Sequence, residues 1–135
     1  MDFVDLPALL QARLPPLAAV YLFGSHAQGG ARAESDVDLA ALPAGGPIDR
    51  LALFDAQEAA AAALNRDVDL VDLRVASTVL AFEVVSQGRL ILDLDPLKTG
   101  LFEVFTQREY ADLMERLMPI HADIRARGRV YGNQP

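Results

Sequence analysis

Two carboxylates, Asp36 and Asp38, stand two apart in the segment DVDLAAL (36–42). In an extended strand that spacing puts both side chains on one face, while Val37 and Leu39 point the other way into a core. Adjacent carboxylates repel, so a strand that opens with them calls for a cation. Mg2+ suits the pair: it takes one or two carboxylates and completes its octahedron with water and substrate phosphates. Gly24-Ser25, separated from Asp36 by ten intervening residues, follows the apolar run LAAVYLF (17–23). Gly permits close backbone approach, and Ser25 can cap a short helix whose backbone N–H groups face a phosphate. One strand end then offers donors for phosphate and the next offers carboxylates for the metal on it. The ligand expected from this pattern is a nucleoside triphosphate with Mg2+. A third carboxylate is expected from VDLVDL (68–73), where Asp67, Asp69 and Asp72 are the candidates. Asp69 lies mid-strand and is the hardest of them to explain as surface, and a buried carboxylate needs a partner. Beside a metal pair it could bind metal and accept the proton of an attacking hydroxyl.

The elements that must position these residues alternate. Residues 3–14 carry apolar positions at mixed helical spacing until Pro15 and Pro16 stop them. Short apolar runs at 17–23, 36–42, 68–73 and 89–94 read as strands. Residues 48–64, rich in Ala and Leu, form the clearest helix, ended by Asn65. A second helix is expected over 77–87 with Gly88 as its terminator. Pro96 closes the last strand, and 101–127 reads as helix interrupted at Pro119. Alternating strands and helices predict an α/β (α+β) fold, a mixed β-sheet with helices packed against it. At 135 residues the chain reads as one domain, with a core over about 15–95 and a helical C-terminal region over about 100–128.

The stretch LFGSHAQGGARAESDVDLAAL (22–42) resembles the signature of the minimal nucleotidyltransferase (MNT) domains of the DNA polymerase β-like superfamily. Gly29 and Ser35 also match its common form, and VDLVDL and SQGRLILD resemble the family's third-carboxylate and closing strands. The resemblance covers about residues 15–95. It implies a nucleotidyltransferase fold, with Gly24 and Ser25 as triphosphate contacts, Asp36 and Asp38 as metal ligands, and Asp69 as the third catalytic and metal-binding carboxylate. Gln28 departs from the Arg of many relatives, and Arg32 of the same loop could substitute. Stand-alone MNT proteins of this size resemble the antitoxins of type VII-like HEPN/MNT toxin–antitoxin pairs. That likeness implies Mg2+-dependent transfer of AMP from ATP to a tyrosine hydroxyl of a HEPN ribonuclease toxin, the cognate partner. The alternatives are an antitoxin that acts by binding alone and a small-molecule nucleotidyltransferase; the latter usually carries a second domain for its acceptor.

Composition narrows the field further. Twelve Lys+Arg against nineteen Asp+Glu give a formal charge of -7, too acidic to grip a long nucleic-acid backbone. The absence of cysteine removes disulfides, thiolate zinc sites and cysteine nucleophiles together. No apolar run approaches the ~20 residues that cross a bilayer, and the acidic MDFVDLPALL is no signal peptide, so a cytoplasmic protein is expected. His26 and His121 read as solvated surface residues, and Tyr21 as core. Phe102, Phe105, Tyr110, Leu113 and Leu117 form a helical stripe expected to pack on the domain's own sheet, with a partner helix as the alternative. Arg125, Arg127 and Arg129 read as a solvated basic tail.

Overall fold

The computed structural model describes residues 3–27, 29 and 36–126, with side chains described as far as Met118. Strands β1 (Leu17–Phe23), β2 (Val37–Pro43), β3 (Val68–Asp72) and β4 (Arg89–Asp93) form one mixed sheet in the order β3-β2-β1-β4. β1 runs antiparallel to both β2 and β4, while β2 and β3 are parallel. Helices α1 (Leu6–Arg13) and α2 (Arg50–Leu64) pack on one face with Leu22, Val37, Leu39 and Leu70. Helices α3 (Thr78–Gln87) and α4 (Pro96–Ala126) lie on the other, where Ala81, Val84 and Phe102 meet Ala19, Tyr21, Phe23, Ala40 and Leu42. Both faces of the central strands are covered, which is why β1 reads as an unbroken apolar run.

Local chemistry sets the element ends. Asp49 Oδ2 accepts from the Ala52 N–H at 3.1 Å and caps α2, and Asn65 ends that helix in the left-handed region at φ 54°. Ser77 Oγ caps α3 through the Leu80 N–H. Gly88 follows α3 with φ -76°, so it is no left-handed terminator. Its use is close backbone approach: a Cβ there would strike the Val84 carbonyl oxygen of α3 and lie 3.3 Å from the Leu22 carbonyl oxygen of β1.

The C-terminal helix differs from the expectation at both points. It starts at Pro96 rather than near 101, because proline suits the first helical position and Asp95 Oδ1 accepts from the Lys98 N–H at 3.2 Å. It also runs through Pro119, where an interruption is expected, to Ala126. Tyr21 is buried as expected, and its hydroxyl donates to Glu103 Oε2 at 2.5 Å, tying α4 to β1. Burial, then Glu103 and Asp93, push the phenol well above its ordinary range. Of the aromatic and leucine stripe on α4, Phe102 packs into the core and Tyr110 stacks on Phe82 at 3.8 Å. Phe105 departs from it, being 59% exposed.

The carboxylate buried in β3 is Asp72, 3% exposed, and not Asp69, which is exposed. Asp72 accepts from the Ile48 N–H at 2.7 Å and the Arg74 N–H at 2.8 Å, so it joins the loops that follow β2 and β3. Asp72→Ala therefore strands two donors; at about 1–3 kcal/mol for each unsatisfied group, a loss of about 2–6 kcal/mol is expected. In thermal melts this corresponds to a fall of about 10 °C or more. Asp69→Ala, at an exposed position, should move the melting temperature by only about a degree or two.

Candidate active site

Gly24, Asp38 and Asp69 form a row across three neighbouring strands. Phe23, the residue before Gly24, pairs with Asp38 in the antiparallel β1–β2 ladder, and Asp38 pairs with Asp69 in the parallel β2–β3 ladder. Period-two alternation puts Asp38 on the face of Ala40 and Leu42, and Asp69 on the face of Val71, all toward α3 and α4. Asp36 precedes β2 by one residue and is exposed, whereas Asp38 is half-buried. The structure thus brings together the carboxylates expected from the sequence and places Asp72 at the other end of β3, apart from them.

The approach of β1 to β2 depends on glycine. Gly24 has φ +72°, a left-handed value that other residues adopt at a cost, and a Cβ built on it would strike Asp38 Oδ2. Ser25 and His26 complete a single 3-10 turn, Gly24–His26, with Ser25 exposed at the strand end. Gly29 has φ +76°. Gln28, Arg32 and Ser35 of the motif lie outside the described residues, as do Arg127 and Arg129.

Electrostatics mark Asp38 as the strained member. Burial first, then the charges of Asp69, Asp36 and Glu83, push its carboxyl up from its ordinary value, while His26 pulls it down. Glu83, an exposed residue of α3, was not expected at the site; a lone acid on a solvated helix face carries no sequence signal of what the helix lies over. His26 is also not the solvated residue expected. It is half-buried, and its ring meets that of Phe3 edge-on at 5.3 Å, with the Arg66 guanidinium 5.4 Å from the Phe3 ring. Among the described residues no three acidic or imidazole groups converge into a ready-made metal cage. The donor set still fits Mg2+, which needs only one or two carboxylates when phosphates and water supply the rest. Also among the described residues, no helix is long and apolar enough to cross a membrane.

Comparison with known proteins places this geometry. Residues 8–97 match the family of polymerase beta nucleotidyltransferases. The chain is 41% identical over 118 residues to the protein adenylyltransferase MntA of Shewanella oneidensis, covering 87% of this chain and 84% of that protein. A crystal structure of a toxin–antitoxin with AMP-PNP contains a chain of 38% identity that superposes with a TM-score of 0.81, covering 91% of this chain and 98% of that one. A structure of a tri-AMPylated Shewanella oneidensis HEPN toxin in complex with MNT antitoxin matches at 37% identity and a TM-score of 0.74, covering 89% and 92%. The mixed sheet, the two helical layers and the long final helix are the fold expected from the motif. With its family matched over most of its length and its strand-end carboxylates in register, the chain belongs to the polymerase β nucleotidyltransferases, enzymes whose substrate is a nucleotide.

Proposed function

We propose that this chain is the antitoxin of a HEPN/MNT pair, a protein adenylyltransferase that moves AMP from ATP to a tyrosine hydroxyl of its cognate HEPN ribonuclease toxin in the cytoplasm. The observation that carries the reading is the in-register row of Gly24, Asp38 and Asp69, a carboxylate edge beside a turn whose glycine lets the Asp38 carboxylate lie against the backbone. Support comes from the likeness to the adenylyltransferase MntA and to the antitoxin chains of the AMP-PNP and tri-AMPylated toxin complexes.

In this reading the Gly24-Ser25 turn holds the triphosphate, its backbone N–H and hydroxyl donating to phosphate oxygens. Asp36, Asp38 and Asp69 would hold Mg2+, which when bound supplies positive charge to the α-phosphate and the leaving oxygen. Asp69, exposed on β3 beside Asp38, would take the proton of the tyrosine hydroxyl. The phenolic oxygen then bonds to the α-phosphorus as the bond to the bridging oxygen breaks, and pyrophosphate leaves with that electron pair. Burial and then the charges of its neighbours raise Asp38, and an arriving cation would offset both, so the three carboxylates favour the loaded state.

The test uses the HEPN-domain protein that this reading predicts as the cognate partner. After incubation with ATP and Mg2+, intact-mass and peptide spectra should show AMP on a toxin tyrosine. Toxin ribonuclease activity should stay suppressed once the antitoxin has been removed. Inhibition that tracks occupancy, vanishes on dilution and leaves the toxin mass unchanged would instead establish neutralisation by binding alone.

A further inference from the structure

The face formed by α3 and α4 carries an apolar hollow away from the carboxylate row. It encloses about 200 Å3 and is lined by Leu73, Ala76, Ala81, Phe102 and Phe105, with Glu109 at one side. Its surroundings are apolar and open to solvent: Phe105 is 59%, Val75 67% and Val79 55% exposed. Glu109 also belongs to the neighbouring hollow, whose other lining residues are Asp112, Glu115 and Arg116. The apolar hollow therefore runs onto a shelf of three carboxylates and one guanidinium. Arg74, which also lines the hollow, is committed within the chain: its guanidinium donates to the Pro43 carbonyl at 2.9 Å and lies 5.9 Å from the Phe102 ring.

We propose that this surface, the hollow around Phe105 with its acidic shelf, docks the RNA-binding face of the toxin; the inference rests on the adenylyltransferase–toxin reading above. Charge complementarity selects the occupant. A ribonuclease holds a phosphate backbone with a basic footprint, and an acidic shelf on a chain of net charge -7 matches that footprint as an RNA strand would. Position supports the same occupant. Thr78 and Ala81 line the hollow, and five residues beyond Thr78 on the same helix stands Glu83, whose charge reaches Asp38. The lining residue of α3 nearest Glu83 is Ala81, two residues or about 3 Å along the helix, so a protein seated there has its side chains within reach of the carboxylate row. An apolar anchor filling the hollow and a charged rim on the shelf form the arrangement of a specific protein interface.

Two variants test the surface against the HEPN-domain protein predicted as the partner: Phe105→Glu, and the triple change Glu109→Lys, Asp112→Lys, Glu115→Lys. Phe105→Glu should weaken toxin binding by about tenfold or more, as loss of an anchor does. The triple variant should slow association by about tenfold and flatten its dependence on salt. AMP transfer to the toxin should fall in parallel at sub-saturating toxin, while the affinity for AMP-PNP and the melting temperature stay at the wild-type values. Wild-type binding and transfer by both variants would overturn the surface assignment. So would a free chain that is dimeric and turns monomeric with Phe105→Glu while its toxin affinity is unchanged, because the hollow would then belong to a second copy. A wild-type chain that neither binds nor modifies the toxin would instead bring down the functional reading on which the surface rests.

Discussion

Replacing Asp36 and Asp38 together by Asn should reduce AMP transfer by at least about a thousandfold while leaving a folded protein. The expectation follows from what the pair is placed to do. Charge stabilisation by a metal on a transferring phosphoryl group is worth several kcal/mol, and each 1.4 kcal/mol is about a factor of ten in rate. The fold should survive because neither side chain makes part of the core: Asp36 is exposed and Asp38 half-buried. Stability should even rise in metal-free buffer. The Asp38 carboxyl is raised above its ordinary value, so the folded chain binds its proton more tightly than the unfolded chain does. Its favourable contribution is present below the unfolded value of 3.8 and is lost as pH rises through the higher folded value. At neutral pH the native chain therefore carries the repulsion and the Asn variant does not. Melting curves with chelator at neutral pH and at about pH 3 check this: the variant should be the more stable at neutral pH, and the gain should shrink in acid. Labelled AMP transfer at the wild-type rate would show that these carboxylates are not the metal ligands.

Gly24→Ala should cost about a hundredfold in AMP transfer and about 1–2 kcal/mol in stability, two effects with separate causes. The stability loss is the left-handed conformation at φ +72°, which a side chain adopts only at that cost. The activity loss is geometric, because the new Cβ must displace the Asp38 carboxylate from its place against the turn. A misplacement of about 1 Å at a reacting centre is enough for a hundredfold effect. Gly29→Ala separates the two. Gly29 shares the left-handed conformation at φ +76° but has no described atom within 4 Å of a built Cβ. Its variant should lose similar stability in denaturant titrations and far less activity. Equal rates for the two variants would show that contact with Asp38 is not what the glycine is for.

Much of the site is legible in the chain because it is local. The strand-end Gly-Ser and the Asp-x-Asp sit within fifteen residues of one another, and each needs only its own strand to be recognised. The short apolar runs at 17–23 and 36–42 mark the strands to within a residue, and Asn65 marks the end of the Ala-rich helix. Pro96 was misread because a proline closes one element and opens the next with the same fixed φ; only the Asp95 cap tells which.

What the tertiary structure decided is which acids meet. Asp69 and Asp72 lie three apart on one strand, and composition does not distinguish the open one from the buried one. The parallel register Asp38↔Asp69 sets Asp69 on the carboxylate row, while Asp72 turns to satisfy the Ile48 and Arg74 N–H groups. The same holds for Glu83 and His26, brought to Asp38 by the packing of α3 over the sheet and of the N-terminal Phe3 beside the turn. A strand's own pattern specifies which face a side chain takes, because alternation is a property of the backbone. Its neighbour across the sheet is specified by register, which the buried apolar faces of all the strands determine jointly.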